Sequence, residues 1–164
     1  MLTPALLPCR FLATLLATFL ALASSQADAL PQPSRSHFFN RSIRSVEVSP
    51  DLVEATKIAI TNAKSGSTKR CWRYVKRALV AANAVDSYPD GISAKNAGQE
   101  LTEHHGFTKL DISNPEDAPV GAILVYGGEG YGHVEFRTED GYVSDFKASR
   151  PSQRPLTGVY VKTS

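Results

Sequence analysis

The chain has 164 residues, with 18 lysines and arginines against 16 aspartates and glutamates, a net charge of +2. That balance argues against a nucleic-acid binder, which would carry a basic stripe, and the length suits one domain with a real core rather than two. A weak positive surplus is compatible with an anionic cell envelope and compels nothing.

Residues 1–29 read as a secretory signal peptide. Arg10 supplies the positive charge, Phe11 to Ala23 form an apolar run relieved only by Thr14 and Thr18, and Ala27-Asp28-Ala29 is a small-residue cleavage site. The run is too short to cross a hydrocarbon layer of about 30 Å as a helix, so no membrane span is expected, and export to the periplasm, envelope or medium is. Cys9 leaves with the signal, so the exported chain keeps one cysteine, Cys71, and no internal disulfide. Residues 30–47, rich in proline, serine and arginine without an apolar period, are expected to be a linker or N-terminal arm. The domain proper is expected over 48–164.

A first helix should begin at Ser49-Pro50, where serine caps and proline fits the first helical position, and run until just before Gly66. Leu52, Ala55, Ala59 and Ala63 share one stripe, with Ile58 beside it. A second helix is expected over about Lys69 to Ala84, with Trp72, Val75, Leu79 and Ala82 at three- and four-residue spacing and Cys71 bordering that face. A third fits Ala94 to His105 and stops at Gly106. From Val120 the period changes to that of strands. Ala122 to Tyr126 suits a buried strand. His133 to Arg137 and Tyr142 to Phe146 suit a hairpin across Glu139-Asp140-Gly141, and Val159 to Lys162 a last strand. Helices first and an antiparallel sheet afterwards make an α+β plan.

Cys71 stands at the start of a helix, where unpaired N–H groups and the dipole favour a thiolate, and Lys69 and Arg70 add positive charge. An exported lone thiol that is merely packed is a liability, which favours a nucleophile over an inert apolar residue. A cysteine nucleophile needs a base. His37 lies in the arm, while His104 and His105 complement a helix end. His133 opens a strand after the glycine-rich run Gly127-Gly128-Glu129-Gly130-Tyr131-Gly132, and is the expected base. With a three-residue hairpin loop, Asp145 shares the face of His133 and can orient it. A one-residue slip would bring Ser144 there instead. Glu135 also shares the face, at an awkward distance for a direct hydrogen bond. The backbone N–H of Cys71 would hold an oxyanion. Ser65, Ser67 and Tyr74 are candidates for the second donor, and Tyr88 and Tyr131 for substrate contact. The glycine-rich run lacks the ending of a phosphate cradle, and His133-x-Glu135 lacks a third ligand at a familiar spacing, so neither cofactor nor metal is expected.

These residues carry a resemblance. Cys71-Trp72-Arg73-Tyr74-Val75, the small-residue helix at Ala94-x-x-Ala97-Gly98, the strand Pro119-Val120-Gly121-Ala122-Ile123-Leu124-Val125-Tyr126 and the following Gly132-His133-Val134-Glu135-Phe136 resemble the NlpC-type and CHAP superfamily of papain-like cysteine peptidases and amidases, over about residues 65–162. The resemblance implies helices packed on a small antiparallel sheet, with Cys71 as nucleophile, His133 as base and Asp145 as orienting residue. It also implies hydrolysis of an amide in bacterial cell-wall peptidoglycan, in the peptide or at the glycan–peptide junction. The chain departs from the family where Arg70 precedes the cysteine, Trp72-Arg73 follow it, and Ala122 enters the core strand. Two other functions fit the same residues: a non-catalytic module binding cell wall or a partner, and a secreted effector peptidase or acyltransferase acting on proteins.

Overall fold

The computed structural model describes residues 46–164, and the expected signal peptide, His37 and nearly all of the expected arm lie outside that range. Val46, the first described residue, is already partly buried against the core.

Three helices lead the described residues. Helix α1 spans Pro50–Asn62 and starts as its sequence requires: the Ser49 side chain accepts from the Leu52 amide, and Pro50 occupies the first turn. It buries Leu52, Ala55, Thr56 and Ala59, and stops short of the expected end because Ala63 is extended, at φ −59° and ψ 142°. Helix α2 spans Cys71–Ala81. It begins two residues later than its periodicity suggested, because Lys69 is left-handed at φ 59° and cannot join a helix. It ends early too. Asn83 is left-handed at φ 57°, and its amide and that of Ala84 close back on Val80 and Leu79. The third segment begins with a short 3-10 turn, Ala94–Asn96, and continues as helix α3 over Ala97–His104, ended by Gly106.

Six strands follow: β1 Thr108–Leu110, β2 Ile123–Tyr126, β3 His133–Thr138, β4 Gly141–Val143, β5 Lys147–Ala148 and β6 Leu156–Val161. They form one antiparallel sheet in the order β1-β6-β2-β3-β4-β5. Strand β2 is central and fully buried, as its unbroken apolar run requires. The helices cover one face, where Leu52, Trp72, Val75, Leu79 and Leu101 meet Ile123, Val125, Val134 and Phe136. Fully burying each such side chain stabilises the fold by about 1.5–3 kcal/mol. A smaller cluster on the other face joins Leu124, Tyr126, Tyr142, Val159 and Val161. This is the α+β, papain-like arrangement expected from the sequence.

The hairpin differs from expectation by one residue, and that residue matters. Strands β3 and β4 pair Thr138 with Gly141, Arg137 with Tyr142 and Phe136 with Val143, so the turn is the two-residue Glu139-Asp140. Shifting a register by one residue exchanges the faces of the sheet. Val143 thus joins Phe136 in the cluster under the helices, and Asp145 follows it to that side. Beyond Val143 the strand breaks and resumes as β5, while β1 and β5 are too short to announce themselves by periodicity.

Candidate active site

Cys71 is the first residue of α2 and half-buried, and the loop before it is held by one carboxylate. Asp145 is fully buried. Its Oδ2 accepts from the Thr68 amide, the Thr68 hydroxyl at 2.9 Å, the Ser67 hydroxyl at 3.4 Å and the Arg70 amide at 3.4 Å. Its Oδ1 accepts from Ser144 at 3.1 Å, and its backbone carbonyl from the Lys64 amide at 2.8 Å. Burial alone would push the Asp145 carboxyl up, but the Thr68 hydroxyl and amide and the Arg70 amide hold it below its ordinary range. The acid therefore clamps residues 67–70, including left-handed Lys69, in the one path that presents Cys71 at the head of the helix.

His133 opens β3 on the other side of the cleft. Gly132 before it has φ 71°, and a Cβ there would lie 2.4 Å from the Tyr126 carbonyl, so only glycine lets the loop enter the strand. The imidazole sits between the rings of Tyr126 and Phe146, with centroids at 6.0 and 6.4 Å. Its Nε2 lies 3.1 Å from Glu135 Oε2, and Glu135 Oε1 accepts from the Ser152 amide at 3.1 Å. Cys71 lines the same cleft as this ring. Burial pulls the His133 pKa down, yet the Cys71 sulfur and the Glu135 carboxylate outweigh it and push it up to about 9.

Cys71 and His133 therefore line one cleft, and the hydrogen bonds of the Asp145 side chain go elsewhere than to His133. The register shift sends its carboxylate to the loop preceding the cysteine, and Ser144 is spent on Asp145. The carboxylate beside the imidazole is Glu135, only 2% exposed. Two residues along a strand proved no obstacle, because a glutamate is long enough to curl back to a neighbour on its own face. The shared face was visible in the sequence, and the length of the side chain was the signal to follow.

Around this pair lies a cleft of about 1040 Å³. Ser67, Tyr88 and Tyr131 line it, whereas Ser65 and Tyr74 do not. One wall is pinned in a way the sequence did not suggest. Trp72 Nε1 donates to the Asp90 carbonyl at 3.3 Å, and Lys76 Nζ donates to the Gly91 carbonyl at 2.9 Å while lying 4.6 Å from the Tyr88 ring centroid. The glycine-rich loop is tied down as well, with the Lys95 amide donating to the Tyr131 carbonyl at 3.0 Å and Arg154 Nη1 to the Glu129 carbonyl at 2.8 Å. His104 and His105 pair with Glu100 at the end of α3, outside the cleft. Among the described residues no three histidine, cysteine, aspartate or glutamate side chains converge as a metal site, and no helix is long and apolar enough to cross a membrane.

A thiol, an imidazole and a buried carboxylate in series can pass a proton from sulfur to a bound group, and the helix start offers backbone N–H groups to a developing oxyanion. The fold defines a papain-like α+β domain. Among solved structures, the chain is similar to a chain of the crystal structure of a type VI native effector–immunity complex, Tae3–Tai3, from Ralstonia pickettii. The identity is 22%, the TM-score 0.56, and the match covers 69% of this chain and 98% of that one. A chain of the selenomethionine form of the same complex matches at 25% identity and a TM-score of 0.48, covering 58% and 80%. No protein-family model matches the chain, and neither does any curated protein.

Proposed function

We propose that this protein is an exported cysteine hydrolase of the NlpC/CHAP type, a peptidase or amidase that cleaves an amide bond in bacterial cell-wall peptidoglycan. The observation that carries the proposal is that Cys71, at the head of α2, and the His133–Glu135 pair line one cleft. Cys71 attacks the amide carbonyl as His133 takes its proton, and His133 returns that proton to the leaving amine. The thioester formed on Cys71 is then hydrolysed by water that His133 deprotonates. Glu135 fixes the orientation of the imidazole and stabilises its protonated form. Asp145 acts at one remove, as a positioning residue that holds the loop ahead of the nucleophile.

Residues 1–29 are proposed to direct export, 30–47 to form the arm, and 48–164 the hydrolase domain. The solved fold neighbour belongs to an effector–immunity complex, and delivery of this domain as an effector against a cell wall accords with the same chemistry.

Purified protein incubated with peptidoglycan sacculi should release fragments whose masses, read by mass spectrometry, identify the bond cut. Cys71→Ala should release none, a loss of about 10³-fold or more. Release by Cys71→Ala at the wild-type rate would refute the mechanism. Cleavage of proteins instead of sacculi would move the activity to a protein substrate.

A further inference from the structure

Tyr126 closes the central strand, directly opposite His133 in the antiparallel pairing of β2 with β3. Leu124 stands opposite Glu135 in the same register, so Tyr126, His133 and Glu135 share one face, with Glu135 the diagonal neighbour of Tyr126. Diagonal neighbours lie within reach of an aromatic side chain. Along its other edge β2 shifts register against β6 between Val125 and Tyr126, an irregularity of the kind that re-aims a side chain beside a site. The Tyr126 ring is fully buried, its centroid 6.0 Å from that of the imidazole. Its hydroxyl is shut off from solvent as well and has no hydrogen-bond partner among the described residues. Stranding a hydroxyl is costly, and phenylalanine would fill the same space without it, so packing alone does not account for a tyrosine here.

Glu135 has a changing need for donors. It is buried, with Oε2 beside His133 and Oε1 accepting from the Ser152 amide, and a carboxylate oxygen can accept more than one hydrogen bond. While the imidazole is protonated, its charge compensates the carboxylate. Once His133 has passed its proton to the leaving amine, that compensation is gone, and a buried carboxylate then calls for another donor. We infer that Tyr126 is a positioning residue with a reserve donor: its hydroxyl turns to Glu135 when His133 is neutral and away when His133 is protonated. The inference rests on the hydrolase reading and adds a residue to that site. His133 is pushed up to about 9, so near neutrality it is protonated and the hydroxyl is free, as observed. No proton leaves Tyr126. Burial, and next the Glu135 carboxylate, push its ionisation above the ordinary tyrosine range, so it remains a donor wherever the relay works. The other titratable or charged groups at this cluster are Cys71 of α2, which lines the cleft, and Tyr142 of β4, whose ring centroid lies 5.1 Å from the Arg137 guanidinium.

The test is a titration of the His133 ring by NMR in purified protein carrying nitrogen-labelled histidine, with its signals assigned from their loss in His133→Asn. Without the reserve donor the neutral imidazole is the less favoured form. Tyr126→Phe should therefore raise the pH at which the ring titrates by about one unit. It should lower kcat on peptidoglycan sacculi by about tenfold with KM unchanged, because release of the proton becomes harder. The unfolding midpoint near neutrality should hold, since only an unpaired hydroxyl is removed. Tyr142→Phe is the control within the same buried cluster, where the hydroxyl already donates to the Pro115 carbonyl at 3.3 Å. It should lower the midpoint and leave both the titration and kcat in place. In Tyr126→Phe, a His133 titration that is unmoved or moves down, or an unmoved kcat, overturns the reserve donor whatever the midpoint does. Wild-type protein that releases no fragments while the titration still moves would instead defeat the hydrolase reading, and the relay role of Tyr126 with it.

Discussion

The two halves of the site each rest on one buried carboxylate, and they use it in opposite ways. On the Cys71 side Asp145 gathers backbone and hydroxyl donors from residues 67–70 and holds a path through left-handed Lys69. On the His133 side Glu135 holds a side chain, the imidazole, within a regular strand. A loop has no ladder to define it, so its carboxylate is structural first. A strand already defines its backbone, which frees its carboxylate to tune a ring. Damage to the first half should therefore appear as lost stability, and damage to the second as lost activity.

The largest effect that separates the halves is expected from Asp145→Ala. It leaves a cluster of donors without an acceptor in a fully buried place and should cost about 3–5 kcal/mol in urea or thermal unfolding. The halves also differ in the pH at which they fail. The Asp145 carboxyl is held below its ordinary range, so its contribution is present above about pH 4, the unfolded value, and is lost as pH falls through the folded one. The His133 imidazole is pushed up to about 9, so its contribution is complete below about pH 6.5 and is lost as pH rises through about 9. Unfolding midpoints followed across pH should decline at both ends, with Asp145→Asn flattening the acid limb alone.

Next in size is Glu135→Gln, expected to lower kcat/KM by about 10²-fold while costing less stability near neutrality than Asp145→Ala. The same variant should pull the alkaline limb of the stability profile toward neutrality. Equal losses of stability from the two carboxylate variants would erase the contrast between the halves. The smallest effect lies outside both. At Gly98 in α3 a Cβ would fall 2.1 Å from the Tyr160 hydroxyl, so Gly98→Ala should cost about 1–3 kcal/mol as the ring is displaced, without a pH signature.

The sequence carried much of this. Ser49-Pro50 marks the start of α1, the run Ile123–Tyr126 marks the central strand, and Cys71 and His133 stand out by their places at the start of a helix and of a strand. What it did not carry has physical causes. The left-handed Lys69 is stabilised by Asp145, far along the chain, so local propensity is silent about it. The hairpin turn was one residue shorter than its glycine suggested, and that single residue moved Asp145 from the histidine to the cysteine loop. The tie from Glu135 to Ser152 joins a strand to a connection without regular structure, which no periodicity announces.

Strand β6 comes last of the six in sequence yet lies between β1 and β2. A chain that emerges N-terminus first, from a ribosome or through a secretion pore, therefore holds an incomplete sheet until that strand arrives. Until then β1 has no partner, and β2 exposes an unpaired edge. The segment bearing Ser152, whose amide steadies Glu135, and Arg154, which ties down Glu129, arrives just ahead of it. Assembly of the cleft is thereby deferred until β6 has emerged, a timing device written into strand order alone.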